Sequence, residues 1–288
     1  MKTFDAGVSK DTQTKAGFKK EILSYFRTNK ITAISLVIIG LAAFSPLMIT
    51  GLGAMMDAMS DVYEELGTDI TGMTELLGSS ASVGVASAIE SINGAALIVV
   101  LLLLNRAAGG EQKKRAMIIP KSAGLRSFAY IFPKFIIYPL SIFIFTVVAA
   151  IISWVLSALL FEVNDVAFRG VLLAGVLSGV SLMLYVCFHL TLGTATGKAG
   201  LSASVCIAAS IFLPTIFSLV STDYMYNPFA LELLATMAIS SDASININVF
   251  DLLVTVVFAL AIMGVTFYIA LFAQNARKID NTGNEIDL

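Results

Sequence analysis

The chain alternates between six long apolar stretches and shorter polar connections. About 20 apolar residues in a helix cross the hydrocarbon core of a bilayer, and each stretch reaches that length. The pattern therefore predicts an all-α integral membrane protein with six transmembrane helices, numbered here as spans one to six. They occupy residues 31–53, 83–104, 127–160, 170–192, 201–220 and 252–273.

Span three is longer than a simple crossing requires. It contains Pro133 and Pro139, and each proline removes a backbone donor and favours a kink. We expect its first turns to lie at the membrane interface and the crossing itself to begin near Ile136.

A polar segment before span one has the pattern of an amphipathic helix. Residues 15–27 place Phe18, Ile22, Tyr25 and Phe26 on one helical face, and the basic residues fall largely off it. Such a helix lies along the headgroup plane rather than crossing the bilayer. We predict an N-terminal interfacial helix, with a solvated tail as the alternative.

A second short helix is expected between spans five and six. Asn227 followed by Pro228 is a typical helix start, because the asparagine side chain caps it and the missing proline N–H is not needed there. The apolar segment that follows, up to Met237, is too short to cross a membrane. We predict an extracellular or re-entrant helix.

The basic residues are strongly segregated along the chain. Counting Lys134 at the edge of span three with the connection before it, 17 of the 18 Lys and Arg lie in the N-terminal tail, the connections after spans two and four, and the C-terminal tail; only Arg169 lies elsewhere. The positive-inside rule therefore predicts that both termini are cytoplasmic. The opposite side carries about a dozen acids, which would concentrate cations there.

Composition agrees with a membrane protein and excludes an ordinary soluble one. The 288 residues are 57% hydrophobic and only 13% charged, whereas soluble domains have about 25% charged residues. We expect one membrane domain over residues 1–288. It comprises a cytoplasmic tail (1–30), a six-helix bundle (31–273) and a second cytoplasmic tail (274–288).

Patterns for catalysis or cofactor binding are weak. Residues 193–198, GTATGK, lack the spacing and the final Ser or Thr of a phosphate-binding loop. One His and two separated Cys predict no metal site. His189 with Ser202 raises an intramembrane serine protease as a remote alternative, but the serine follows the histidine and lacks the Gly-x-Ser-Gly setting of rhomboid-like enzymes. We therefore expect neither catalysis nor a cofactor on this chain.

Glu90 is an acid within span two, near Asn93. A carboxylate inside the membrane is costly unless it faces the bundle interior or water, so such residues are functional candidates. If Glu90 is buried, it and Asn93 are expected to line a substrate path or to hydrogen-bond between helices. If the span begins one turn later, Glu90 lies at the interface.

The connection between spans two and three is rich in bases and has one acid, Glu111. We expect Gly109 and Gly110 to break the helix, so that residues 111–119 form a separate short helix with Glu111 in its first turn. Residues 117–119 form an apolar patch that can dock into a soluble partner, and Pro120 follows. The alternative is an ordinary positive-inside loop, which would explain the bases but would explain less well the apolar patch followed by Pro120.

These features together resemble the ABC-2 type permease family, the membrane subunits of ATP-driven exporters with type V architecture. The resemblance covers the whole chain, although Ala116 and Met117 replace the usual Gly-Thr pair and Pro133 replaces a Gly. The matching positions are Glu111, Gln112 to Arg115, Met117 to Ile119, Pro120 with Lys121, Lys134, and Tyr226 to Phe229.

The resemblance implies a permease subunit that exports a lipid, peptide or drug-like substrate across the plasma membrane of a prokaryote. It implies a homodimer of permeases in lipid, two copies of an ATP-binding cassette subunit that hold ATP and Mg, and no nucleic acid. An ATP-independent channel or secondary transporter is the alternative. The residues expected at the ATPase contact are Glu111, Lys113, Lys114, Arg115, Met117, Ile118 and Ile119.

Overall fold

The computed structural model is a helical bundle, as predicted. Within the residues that the structure describes, six helices are long and apolar enough to cross a membrane, and they coincide with the six predicted stretches. The structure describes residues 9–59, 80–111, 124–161, 165–220, 227–239, 249–276, 278–279 and 285–286.

The helices extend beyond the apolar stretches by a few residues at most ends. Span two is composite and consists of two α-helical segments, Ala81–Ser91 and Leu97–Leu103, and two π-helical segments, Ile92–Ala96 and Arg106–Gly110. Two short strands, β1 (Lys278–Ile279) and β2 (Glu285–Ile286), pair antiparallel after the last helix. The helices are α1 (Lys10–Arg27), α2 (Lys30–Ala58), α3 (Ala81–Ser91), α4 (Leu97–Leu103), α5 (Ser127–Leu160), α6 (Phe168–Thr196), α7 (Ala199–Val220), α8 (Leu231–Met237) and α9 (Val249–Ala276).

Helix α1 is the predicted N-terminal helix, and it packs against the start of span three. The Ser9 side chain caps it by accepting from the Thr12 amide. Gly17 allows the close approach, because a Cβ there would collide with the Ala129 carbonyl oxygen of α5. Of the predicted apolar face, Tyr25 is buried and Phe18 contacts Phe132 edge-on. Ile22 and Phe26 of the same face remain exposed.

A sharp turn connects α1 to span one. Asn29 adopts a left-handed backbone conformation with φ 54°. Asparagine tolerates this region better than other residues with a side chain. The turn allows α2 to leave in a new direction directly after α1.

The double glycine at the end of span two does not break the helix, so this prediction is wrong. Gly109 and Gly110 lie in the second π segment, and Glu111 continues in helical conformation. Gly109 is needed for packing instead, since a Cβ there would lie 2.7 Å from the Gly193 carbonyl oxygen of span four. Glu111 therefore follows the π segment without a break in the helical backbone.

Span three is one helix, α5, through both of its prolines. Span four is the most buried of the six and forms the centre of the bundle. Its Gly175 and Gly179 face span three, where added Cβ atoms would lie within 3 Å of Ala150 and Phe143. Small residues let helix backbones approach closely in membranes, which explains this contact.

The predicted short helix between spans five and six is present. The Asn227 side chain accepts from the Phe229 amide, and a 3-10 turn, Pro228–Ala230, leads into α8. Helix α8 packs on spans four and two, and Phe229 stacks on Phe217 of span five.

Candidate functional site

A cluster of charged side chains joins the end of span two to span three. The Lys134 ammonium lies 2.8 Å from the Glu111 carboxylate, and the Tyr130 hydroxyl donates to the same carboxylate oxygen at 2.8 Å. We call Lys20, Glu21, Glu111, Tyr130 and Lys134 the charge cluster. Glu111 and Lys134, which the sequence marked 23 positions apart, are thus direct partners.

Lys134 is buried, with only 2% of its surface exposed. Its ammonium donates to the Glu111 carboxylate, the Tyr130 hydroxyl and the Ala107 carbonyl oxygen. It also lies 4.1 Å from the centre of the Tyr130 ring, within the range of cation–π attraction. A buried charge is tolerated only when it is paired and hydrogen-bonded, and Lys134 meets both conditions.

Helix α1 contributes the rest of the charge cluster. The Lys20 ammonium lies 3.5 Å from the Glu111 carboxylate and 3.3 Å from that of Glu21. Glu21 is buried and accepts a hydrogen bond from the Tyr138 hydroxyl of span three at 3.0 Å. Two acids and two bases therefore tie together α1, the end of span two and the start of span three.

The environment of Glu111 strongly favours its ionised form. Burial by itself raises the pKa of this carboxyl, but the charge and hydrogen bond of Lys134, with Lys20 and Tyr130, lower it to about 2. The carboxylate is consequently charged at any physiological pH. Its side chain is only 16% exposed, so its charge is directed at Lys134 inside the protein.

The remaining predicted contact residues, Lys113, Lys114, Arg115, Met117, Ile118 and Ile119, lie outside the described residues, as does the predicted coupling helix. The charge cluster itself stands directly before that connection. Sequence reasoning missed Lys20 and Glu21, because only the packing of α1 on span three brings them to Glu111. It also missed Tyr130, which lies one helical turn before Lys134 on span three. A lysine within an apolar stretch, such as Lys134, was the available signal that an acid lies nearby.

A second site is a cleft between span two, span five and α8, which we call the acidic cleft. Its volume is about 460 Å³, and Glu90 of span two and Glu232 of α8 both line it. Asn93 also lines it and donates from Nδ2 to the Ser178 hydroxyl of span four at 3.1 Å. The two predicted substrate-path residues therefore share one cleft, and Asn93 makes a bond between helices. Glu232 was missed because nothing local to it signals a distant partner.

His189 and Ser202 are hydrogen-bonded, but within a fully buried helix contact. The Ser202 hydroxyl donates to the His189 carbonyl oxygen at 2.7 Å, and the ring Nδ1 lies 2.8 Å from the same hydroxyl. Since the hydroxyl proton is used by the carbonyl, Nδ1 must be the donor in the second bond. The imidazole then does not draw the proton from the serine, as a catalytic base would.

The glycines of residues 193–198 have packing and turn roles. Gly193 faces Ala108, where an added Cβ would lie 2.6 Å from the alanine Cβ. Gly197 ends α6 with a φ of 68°, a left-handed conformation typical of a helix C-terminus. The turn leads directly into α7 without a strand.

Among the described residues there is no group of three or more His, Cys, Asp or Glu that could hold a metal ion.

Comparison with known proteins assigns no function to the chain, so the function is inferred from the geometry of the two sites. No protein-family model matches the chain, and no curated protein matches its sequence.

The two sites lie at different parts of the bundle and suit different tasks. The charge cluster is neutral in sum, largely internally satisfied and connects three elements, which suits the transmission of a displacement. The acidic cleft has carboxylates without ion-pair partners among the described residues, which suits the binding of a ligand.

Proposed function

We propose that this chain is the permease subunit of an ATP-driven exporter of the ABC-2 type. It pairs with a second copy of itself, and two ATP-binding cassette subunits supply ATP hydrolysis. The subunits dock on the connection that starts at Glu111, and residues 113–119 make the contact. Its location is the plasma membrane, with both termini in the cytoplasm.

The charge cluster is the observation that carries this proposal. Residues 112–123 form the connection between spans two and three, and the cluster lies directly before it. A displacement of that connection reaches Glu111 first. From there, ion pairs of 2.8 and 3.5 Å lead to Lys134 of span three and Lys20 of α1. A push by a soluble partner thus becomes a movement of three elements.

Affinity purification from the native membrane in mild detergent tests the proposal. We expect an ATP-binding cassette subunit to co-purify in equal amount with the tagged chain. In reconstituted vesicles, Lys113→Glu with Lys114→Glu should abolish its recruitment, whereas Lys10→Glu, on an exposed face of α1, should not.

Two results would overturn the proposal. One is a purified complex without any ATP-binding subunit. The other is transport that continues at an unchanged rate when ATP is depleted, which is the behaviour of a channel or secondary transporter.

A further inference from the structure

The side-chain oxygen of Asn93 is buried without a hydrogen-bond partner among the described residues, which indicates a ligand-binding position. Asn93 is only 4% exposed, and its Nδ2 is held by Ser178. Its Oδ1 is buried and has no hydrogen-bond partner in the described part of the chain. Leaving a buried acceptor unpaired costs about 1–3 kcal/mol. Because Asn93 lines the acidic cleft, a donor on a bound molecule can satisfy this oxygen.

Two carboxylates line the same cleft from opposite elements. Glu90 belongs to span two and Glu232 to α8. Neither makes an ion pair within the described ranges, where the ion pairs all belong to the charge cluster. Burial and then the charge of Glu90 raise the pKa of Glu232. A cation between them would remove this repulsion.

The backbone around the cleft is irregular in two places. Asn93 lies in the π segment Ile92–Ala96, and π-helical turns within helices occur often at functional sites. Across the cleft, Pro214 of span five has no N–H to donate to the carbonyl of Ser210, four residues earlier. The Ser210 carbonyl therefore lacks the usual helical donor, and Ser210 also lines the cleft.

The size and walls of the cleft define the class of ligand. A volume of about 460 Å³ falls within the range of about 300–1,000 Å³ for small-molecule sites and far exceeds a bare metal ion. Ile98, Ile211 and Leu233 supply apolar walls. Besides the two acids and Asn93, the hydroxyl residues Ser210 and Thr236 line the cleft. Both hydroxyls donate to backbone carbonyls of their own helices, so the polar side-chain oxygens that remain are hydrogen-bond acceptors.

We propose that the acidic cleft binds an amphipathic organic cation, whose N–H groups face Glu90, Glu232 and the Asn93 carbonyl oxygen and whose apolar body packs on the walls. That this cation is cargo rests on the proposed export function; that it binds does not.

Fluorescence anisotropy of ethidium with the purified chain in nanodiscs of neutral lipid tests the site. Ethidium is a planar cation of suitable size that carries two N–H₂ groups, and fluorescein is an anion of similar size. We expect saturable binding of ethidium and none of fluorescein. Glu232→Gln and Glu90→Gln should each weaken ethidium binding by about tenfold, because each removes a carboxylate charge that faces the bound cation.

Asp251→Asn is the matched control, because Asp251 is an acid at the start of span six that does not line the cleft. It should change the dissociation constant by less than about twofold, as expected for a charge outside the contact. Glu232 is only partly buried and Glu90 is exposed, so both variants should fold; gel filtration and the melting temperature check this.

Three results would overturn the site: no saturable binding of ethidium, equal binding of fluorescein, or equal affinity in the wild type and both glutamine variants. The assay contains neither ATP nor an ATPase subunit. If the chain binds ethidium but recruits no ATPase, the binding site stands and the exporter proposal fails. If it recruits an ATPase but does not bind ethidium, the exporter proposal stands and the binding site fails.

Discussion

Lys134 shows how a charge can be accommodated inside an apolar bundle. Its ammonium finds one carboxylate, one hydroxyl and one carbonyl oxygen, so each of its three protons has an acceptor. Removing one partner of such a pair leaves the other buried and unpaired, which is strongly destabilising. The arrangement makes Glu111 a contributor to stability as well as to any role in coupling.

Glu111→Gln is therefore expected to destabilise the protein at pH 7 by about 3 kcal/mol. The folded-state pKa of Glu111, about 2, lies below its ordinary value of 4.5. The stability that the carboxylate contributes is then fully present above pH 4.5 and is lost as the pH falls towards 2. Thermal unfolding in detergent, followed by Trp154 fluorescence, should show a gap between wild type and variant that is constant from pH 7 to 5 and narrows below. A gap that does not depend on pH would contradict the assignment.

A double-mutant cycle provides the control at the same scale. Lys134→Met alone should destabilise the protein because it leaves the half-buried Glu111 carboxylate without its main partner. Combining it with Glu111→Gln should cost less than the sum of the two single changes, since the variants remove one shared interaction. Additive losses in melting temperature would mean that the two residues act independently.

At the level of the elements, the glycines report where helices approach each other. The sequence indicated that Gly109 and Gly110 were special but not why. In the sequence, two adjacent glycines predict a helix break. In the structure, Gly109 instead lets span two contact span four. Sequence alone could not distinguish these roles, because the neighbour that makes Gly109 necessary, Gly193, is 84 positions away.

The two roles predict different outcomes for alanine. Gly109→Ala should destabilise the bundle by about 1–3 kcal/mol, because the added methyl group meets backbone that must shift. Gly110→Ala should have little effect, since its nearest neighbour would be at 3.4 Å, and Gly264→Ala, which meets nothing within 4 Å, is the control in span six. Thermal unfolding of the three variants tests this. Equal losses at Gly109 and Gly110 would contradict a packing role that is specific to Gly109.

For the whole molecule, the predictable part is what hydrophobicity determines locally. The spans, α1 and the capped start at Asn227 followed from apolar length, periodicity and cap chemistry. The sites were predictable only in part. Glu111, Lys134, Glu90 and Asn93 stood out because charged or polar groups in apolar surroundings are conspicuous. Their partners, such as Lys20 and Glu232, did not, since only the tertiary fold brings them close.

Orientation is a prediction for the whole molecule, and cysteine labelling can test it. Cys187 and Cys206 are buried, so they should give little background. With a membrane-impermeant maleimide on intact cells, Arg169→Cys should be labelled and Lys198→Cys should not; after lysis both should react, since both positions are exposed. Labelling of Lys198→Cys in intact cells would reverse the predicted topology.

Because all three protons of the Lys134 ammonium are hydrogen-bonded, its chemical modification can measure how α1 and span two move relative to span three. Acylation by an activated ester needs a free, uncharged amine, and the Lys134 ammonium is both enclosed and hydrogen-bonded in the charge cluster. Exposed lysines such as Lys19 should be modified rapidly, while Lys134 should be modified only when α1 and span two separate from span three. The rate at which mass spectrometry detects acyl-Lys134 would then measure how often that junction opens.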